Sequence, residues 1–451
     1  MNNTSPVTPE TKEGALPLAK KAWWASGAIT DVFMSNAFSY LALPIYNVGL
    51  KVDPVFLGWA MGVPRIWDAV ADVFIGDRSD RFRSKWGRRR PFIFIGALLS
   101  GLFFALMWMP PTSASTKMIG WYFFGMAILY YTAYAIFTVP WGALGLELSS
   151  DTNERTKVQA MKNVFQSLGG IFLGGIWWLT LNIGENEIEG ARWAGVIFGL
   201  VIAAAGILPA IFSREKVVTG NNSTFSFWKS VKATFSNSKF LCLVGLTMSV
   251  IFGVFVINSF ALYINLLYVF DGDKNAVAGL NLVVGAAFQV FGLLISPWIA
   301  QLSQRFGKKR TLIGGLLMVM IGFGSSWWTY TPLHPYLQCV TLLLMSPGLS
   351  TLWIIAPSIL ADICDIDEQK TGLRREGMYS AAYAWTIKAT IASTMVVSGY
   401  MLNWAGYDAA KAVQSPEVIT ALRHLYWIIP VSMTLVGIYC ASLLPSLKNE
   451  K

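Results

Sequence analysis

Residues 55–92 read VFLGWAMGVPRIWDAVADVFIGDRSDRFRSKWGRRRPF. The stretch from Val55 to Gly76 is apolar enough, at about 20 residues, to cross a hydrocarbon core as a helix. It is nonetheless interrupted by Arg65, Asp68 and Asp72. Seven Lys and Arg residues follow before Phe92, the mark of a loop kept on the cytoplasmic side of a membrane. A spanning helix that carries ionisable groups and ends in a basic loop is the pattern to be tested on the rest of the chain.

That pattern recurs. The 451 residues are 54% hydrophobic and 13% charged, with a mean hydropathy of +0.50. A soluble domain carries about 25% charged residues, so the solvent for this much apolar surface is lipid. Apolar runs bounded by charge, Pro or Gly fall near 22–46, 55–76, 92–110, 118–146, 158–182, 192–213, 239–268, 277–302, 311–330, 336–361, 376–403 and 420–443, which predicts twelve helices. Of the 35 Lys and Arg residues, 27 lie in the N-terminal tail, alternate loops and C-terminal tail. Six lie in the other loops, and Arg65 and Lys388 lie inside spans. Both termini are therefore expected in the cytoplasm. The net charge of +10 reflects that topology and does not point to nucleic acid as a partner. The polar first twenty residues lack the build of a cleavable signal. Cys242, Cys339, Cys364 and Cys440 have no metal-binding spacing, and His334 and His424 fall at the ends of spans, so a catalytic centre has little material.

The loop after helix 2, Gly76–Phe92, has a counterpart six helices later in SQRFGKKRTL, Ser303–Leu312. Both are basic turns containing glycine. The expected organisation is a cytoplasmic tail (1–21), a six-helix half (22–213), a cytoplasmic linker (214–238), a second six-helix half (239–443) and a short tail (444–451). An all-α membrane protein of twelve transmembrane helices in two six-helix pseudo-repeats around a central cavity has the major facilitator architecture.

An ionisable side chain in mid-bilayer costs at least about 2.5–3.5 kcal/mol and is a functional hypothesis by default. Five such groups are expected: Asp31, Asp68, Asp72, Arg65 and Lys388. Arg65, Asp68 and Asp72 follow one another at spacings of three and four and share a helical face. Two stacked carboxylates need a cation or a shared proton, unless Arg65 simply neutralises one of them within a buried network. Three acids against two bases leave one negative charge, which one monovalent cation would cancel. That is the logic of a symporter.

At these residues the chain resembles the glycoside–pentoside–hexuronide:cation symporters of the major facilitator superfamily. The resemblance is carried by Arg65-Ile66-Trp67-Asp68 with Asp72, by the loop ending Lys85-Trp86-Gly87-Arg88-Arg89-Arg90-Pro91-Phe92, and by Ala361-Asp362-Ile363-Cys364-Asp365-Ile366-Asp367-Glu368 with Arg374-Arg375-Glu376-Gly377. It runs from about residue 25 to 440. It implies that Asp68 and Asp72 bind the coupling cation, that Asp31 binds sugar, that Lys388 is the helix-11 lysine, and that Trp353 is the helix-10 tryptophan facing the sugar. Melibiose-transporting members of the family place an Asn and a Thr near the cation; Ala71 and Ala135 stand there in this chain. Losing two neutral oxygens weakens a sodium site more than a protonatable carboxylate pair, so H+ is favoured over Na+. Thr138 and Asn163 stand where those members place an acid and an arginine on the sugar, with Lys162 beside Asn163.

Aromatic faces stack on sugar rings, and Trp141, Tyr134, Tyr383 and Trp385 are further candidates on cavity-lining helices, as Arg65 is for a charged solute. Asp77, Asp80, Arg81, Arg88 and Arg89 in the first half, and Asp362, Arg374 and Arg375 in the second, are expected to form salt bridges that close the cytoplasmic end. The expected function is cation-coupled symport of a sugar or glycoside, sugar acids included, across a bacterial inner membrane. Lipid surrounds the chain, no cofactor is needed beyond the coupling ion, and the protein is expected to work as a monomer. The alternatives are a lysolipid or amphiphile carrier and, more remotely, an integral-membrane enzyme.

Overall fold

A helix occupies each of the twelve expected segments in the computed structural model, which describes residues 16–149, 152–213, 234–372, 376–411 and 413–444. Numbered along the chain, the helices of the first half are α1 (Leu18–Ala25), α2 (Gly27–Ala42), α3 (Pro54–Arg81), α4 (Arg90–Met107), α5 (Thr116–Glu147), α6 (Thr152–Gly174), α7 (Ile176–Ile183) and α8 (Glu187–Phe212). Those of the second half are α9 (Ser238–Ile264), α10 (Lys274–Phe306), α11 (Lys308–Thr329), α12 (Gln338–Thr371), α13 (Glu376–Trp404) and α14 (Pro416–Leu443). Among the described residues, eight helices are long and apolar enough to cross a membrane, or up to nine if the bent pair α6–α7 is one span. The linker from 214 to 233, Arg374, Arg375 and the residues from 445 on lie outside the described residues.

Three features depart from a row of simple rods. The first segment breaks between α1 and α2, where the Ser26 hydroxyl donates to the carbonyls of Trp23 and Ala205. The fifth bends by 43° at Gly175, between α6 and α7. Two helices finish in π-helical turns, Leu43–Gly49 after α2 and Asn265–Val269 after α9, a geometry that often marks functional positions. Two stretches expected as loops are helical. α3 runs on through Asp77 and Asp80 to Arg81, held by the Asp77–Arg81 pair one turn apart at 2.6 Å. α12 carries the whole acidic run Asp362–Glu368 to Thr371, where Gly372 caps it in the left-handed conformation (φ 67°), as glycine can without a Cβ penalty. The tight turns at Gly87 and Gly307 are present, both at positive φ.

Each half uses the same neighbour pairings. In the first, α2 packs on α6 and α8, α3 on α5, and α4 on α5 and α8; in the second, α9 packs on α13 and α14, α10 on α12, and α11 on α12 and α14. The halves meet through α3 against α13 and through α6 and α7 against α10. Glycine permits both approaches: a Cβ on Gly399 would lie 2.4 Å from the Pro54 carbonyl oxygen, and one on Gly285 would lie 3.1 Å from the Gly174 Cα. Small residues that let backbones touch are how helices associate where there is no hydrophobic drive.

The described polar contacts between the halves lie from mid-helix to the end remote from the basic loops. At that end Tyr263, fully buried, donates to Asn47 Oδ1 at 2.6 Å, and Asn47 Nδ2 donates to the Val52 carbonyl at 2.7 Å. Asn47 belongs to the first π-helical turn, and Tyr263 precedes the second. In that second turn Asn265 accepts from Gln338 at 2.7 Å. Glu187 pairs with Lys274 across the same boundary, and Trp59 Nε1 donates to the Tyr400 hydroxyl at 3.2 Å. At the basic end the described ion pairs stay within one half. Arg89 pairs with Asp80 at 2.7 Å and with Glu147 at 2.8 Å, Arg88 pairs with Glu147, and Lys308 pairs with Asp362 at 2.6 Å. Among the described residues, the polar contacts that close an end between the halves are those remote from the basic loops. Tyr263→Phe strands a buried acceptor on Asn47 and is expected to cost about 1–3 kcal/mol, read as a lowered thermal midpoint in detergent; an unchanged midpoint would show that the clasp carries no load.

Candidate functional site

The charges expected within the membrane gather in two linked groups. The first is built by α3 and α13. A helical face brings Arg65, Asp68 and Asp72 to the boundary between the halves, and Lys388 reaches them from the other side. Its Nζ lies 2.7 Å from Asp68 Oδ2 and 2.5 Å from Asp72 Oδ2. Asp68 is fully buried, and Lys388 and Asp72 are largely so. Arg65 Nη1 lies 3.9 Å from Asp68 Oδ2, and its guanidinium sits over the Tyr131 ring at 5.2 Å from the centroid, a favourable placing for a desolvated cation.

Two acids and two bases make this group neutral by itself. The uncancelled negative charge counted from the sequence therefore rests on Asp31. The outer oxygens, Asp68 Oδ1 and Asp72 Oδ1, are buried without a hydrogen-bond donor among the described residues. Ala71 and Ala135 are buried and contribute no side-chain oxygen.

The second group lies within the first half, between α2, α5 and α6. Asp31 Oδ1 accepts from Tyr134 at 2.8 Å and from Thr138 at 3.4 Å, while Oδ2 accepts from Gln166 at 3.2 Å. Tyr134 and Thr138 are one turn apart on α5, which turns both hydroxyls toward α2. Tyr131, three residues earlier, meets the Tyr134 ring edge-on and carries Arg65. Tyr131 and Tyr134 thus connect the two groups. Gln166 was not singled out from the sequence; its spacing of four from Lys162 was the one available signal.

Other expected residues are placed differently. Trp141 is 1% exposed, stacked on Trp24 at 5.1 Å, and the two indole N–H groups donate to each other's backbone carbonyls at 3.0 and 2.9 Å. It is a rivet between α1 and α5 and has no edge free for a solute. Tyr383 is buried in the core of the second half, its hydroxyl 3.0 Å from Thr247 Oγ1. Asn163 is exposed, and the Asp31 group is completed by Gln166 instead. Trp353 and Trp385 are about half exposed, at 48% and 52%. Asp77, Asp80, Arg81, Arg88, Arg89 and Asp362 are paired within their own halves, as described above.

Twelve helical segments in two like-paired halves, with a buried ion-pair network at their boundary, define a polytopic transporter of the major facilitator fold. The chain superposes on the D-xylose–proton symporter structure with a TM-score of 0.68, at 14% identity, over 96% of this chain and 98% of that one, a likeness of fold. It belongs to the MFS/sugar transport protein family, matched over residues 23–445. It is 24% identical to a putative glycoside/cation symporter of Escherichia coli (strain K12), over 92% of this chain and 89% of that protein. It is 22% identical to the isoprimeverose transporter of Lactiplantibacillus pentosus, over 95% and 90%. These relatives bear out the resemblance to the glycoside–pentoside–hexuronide:cation symporters, and the protein is a transporter, not an enzyme.

The ion-pair geometry makes a stability prediction. Lys388→Met leaves two carboxylates against one guanidinium, and breaking a buried pair costs about 3–5 kcal/mol. Adding Asp68→Asn restores the charge balance, so the double variant is expected to unfold at a higher temperature than Lys388→Met alone. Additive losses would mean that Lys388 and Asp68 do not interact.

Proposed function

We propose that this protein is a cation-coupled symporter of a sugar or glycoside, sugar acids included, working by alternating access in a bacterial inner membrane. The observation that carries the reading is the Lys388 ammonium held between Asp68 and Asp72 across the boundary of the two halves. All twelve helices span on this reading, the like-paired halves are pseudo-repeats, and the basic end faces the cytoplasm. A bundle whose described polar contacts between the halves lie toward the opposite end is then read as inward-facing.

The ammonium of Lys388 stands in for the coupling ion. In this state it neutralises the pair without any bound cation, so the unloaded carrier can change access state with its charges compensated. A coupling cation at Asp68 and Asp72 competes with it, and a released Lys388 loosens α3 from α13. The ion acts on access only through such a difference in affinity between states. H+ is favoured over Na+ because the pair offers carboxylate oxygens with Ala71 and Ala135 alongside. The solute is held at Asp31, where Tyr134, Thr138 and Gln166 can exchange their bonds for solute hydroxyls. So polar a group favours a hydroxyl-rich solute over an acyl chain.

The test is uptake into proteoliposomes from a panel of mono- and disaccharides and sugar acids, with pH and sodium gradients imposed separately. A pH gradient is expected to drive accumulation, and Asp68→Asn and Asp72→Asn are each expected to abolish it. Full coupling in both variants would remove the cation-site assignment, and stimulation by sodium at fixed pH would reverse the choice of ion.

A further inference from the structure

Of the six Lys and Arg residues in the loops at the end remote from the basic turns, three face one cavity. It has a volume of about 740 Å³ and lies between the halves. Lys51 and Lys117 come to it from the first half and Lys411 from the second. Like charges facing each other across a boundary repel, so an anion between them joins the halves where bare walls push them apart.

The acids of the walls do not balance these lysines. Asp53 is engaged at the start of α3, where it accepts from the Phe56 N–H at 2.8 Å. Asp408 accepts from the Ala410 N–H at 3.0 Å and stands 3.7 Å from Lys411. Lys51 and Lys117 form no ion pair with a described carboxylate. Two acids against three bases leave one positive charge. The backbone adds to it: Pro54, Thr116 and Lys117, the first residues of α3 and α5, lie in the walls, and helix N-termini favour anions. The facing end of α13 is capped, with the carbonyls of Met401, Leu402 and Asn403 taken by the N–H groups of Ala405, Tyr407 and Gly406.

Lys51 is not a requirement of its turn. It holds a left-handed backbone (φ 60°) that glycine adopts at no steric cost, two residues before the capping Asp53. In the second half Asp271 (φ 45°) holds a left-handed backbone two residues before the capping Asp273. Like turns carry opposite charges, so the lysine serves the cavity.

The surroundings suit a lipid headgroup. Exposed Trp121 lies one turn beyond Lys117 on α5 and meets the cavity-wall residue Phe56 edge-on at 5.2 Å. Exposed Trp404 follows the wall residue Asn403, and Tyr400, one turn earlier, accepts from Trp59 of α3. Exposed Trp and Tyr gather at the membrane–water interface. A ligand here can set a charged head among the lysines and an apolar body along the α3–α13 seam, where Trp59 and Tyr400 are exposed.

We propose that this cavity binds the headgroup of an anionic phospholipid from the leaflet remote from the basic loops: its phosphodiester lies among Lys51, Lys117 and Lys411 and ties the two halves together at that end. A diester carries one negative charge, which cancels the excess in the walls. Because the lysines of both halves converge only when that end is closed, the lipid favours the closed arrangement through its difference in affinity between states.

The experiment titrates the full-length protein in detergent with dihexanoyl phosphatidylglycerol, dihexanoyl phosphatidylcholine, glycerol 3-phosphate and inorganic phosphate, reading the thermal midpoint. Phosphatidylglycerol is expected to raise the midpoint, less so as salt rises, and the other three to leave it unchanged. Lys51→Gln, Lys117→Gln and Lys411→Gln are each expected to weaken phosphatidylglycerol about fivefold, the worth of one cation near an anionic lipid surface. The combined Lys→Arg changes at these positions are expected to keep the shift, which separates lost charge from a damaged fold. Spin labels on Ser113→Cys and Tyr336→Cys, with the four native cysteines replaced by serine, are expected to report a larger closed population in vesicles containing phosphatidylglycerol than in phosphatidylcholine alone. Equal shifts with phosphatidylcholine, or a shift that survives loss of all three lysines, overturn the site. Equal shifts with the water-soluble phosphates overturn the lipid as its ligand. Label distances that do not respond to phosphatidylglycerol overturn the tie between the halves.

Discussion

Lys388 between Asp68 and Asp72 is the contact on which the rest of the arrangement depends. A buried ion pair is expensive to assemble, because each charge gives up water, and breaking one by removing a partner costs more than replacing it with apolar groups. Nothing in packing α3 against α13 requires charges: Gly58, Gly62 and Gly399 already bring the backbones together. The network therefore adds a liability to an interface that could do without it. Such a liability makes sense where the contact must be made and unmade. It sits at mid-helix, between a clasped end and an end with no described polar contact between the halves, where a small change in pairing alters how the halves meet.

The clasp at the other end has a different chemistry. Tyr263 donates a neutral hydrogen bond to Asn47 across the halves beside the Glu187–Lys274 ion pair, and within the second half Gln338 donates another to Asn265. Neutral bonds of this kind have modest net worth, about 0.5–1.5 kcal/mol each. Both asparagines sit in π-helical turns, where the ordinary ladder is already interrupted and side chains can take up the slack. A closed end made of several weak bonds on distorted helix ends can be opened by a modest difference in binding energy. One held by multiple buried ion pairs could not. The charged contact of α3 with α13 and the mostly neutral clasp at the ends of α2 and α9 thus lie on different helices.

Much of this architecture was legible before the structure. The twelve segments could be read because each is a long apolar run and the basic loops alternate, two signals that do not depend on tertiary contacts. The charges of α3 could be read for the same reason: a carboxylate in an apolar run stands out. What was not legible depended on neighbours. No periodicity announces the break at Ser26 or the bend at Gly175, since these follow from a hydroxyl finding the Ala205 carbonyl and from a close approach to α10. The loops after α3 and α12 look like loops because they are polar, yet α3 continues past its last apolar residue, with Asp77 and Arg81 paired at a spacing of four.

The candidate site around Asp31 shows the limit more sharply. Asp31 was recoverable because it is charged, but the partners that define it are neutral, and a chain with 19 Trp, 16 Tyr and 28 Phe offers too many aromatic candidates for type alone to choose. Trp141 and Tyr134 are seven residues apart on α5 and look equivalent on a helical wheel. Yet Trp141 spends both its ring face and its N–H on α1, whereas Tyr134 spends its hydroxyl on Asp31. The difference lies in what α1 does: by riveting Trp141 it fixes the surface on which Lys162 rests. An aromatic expected to stack on the solute instead carries a cation on one face and a second indole on another.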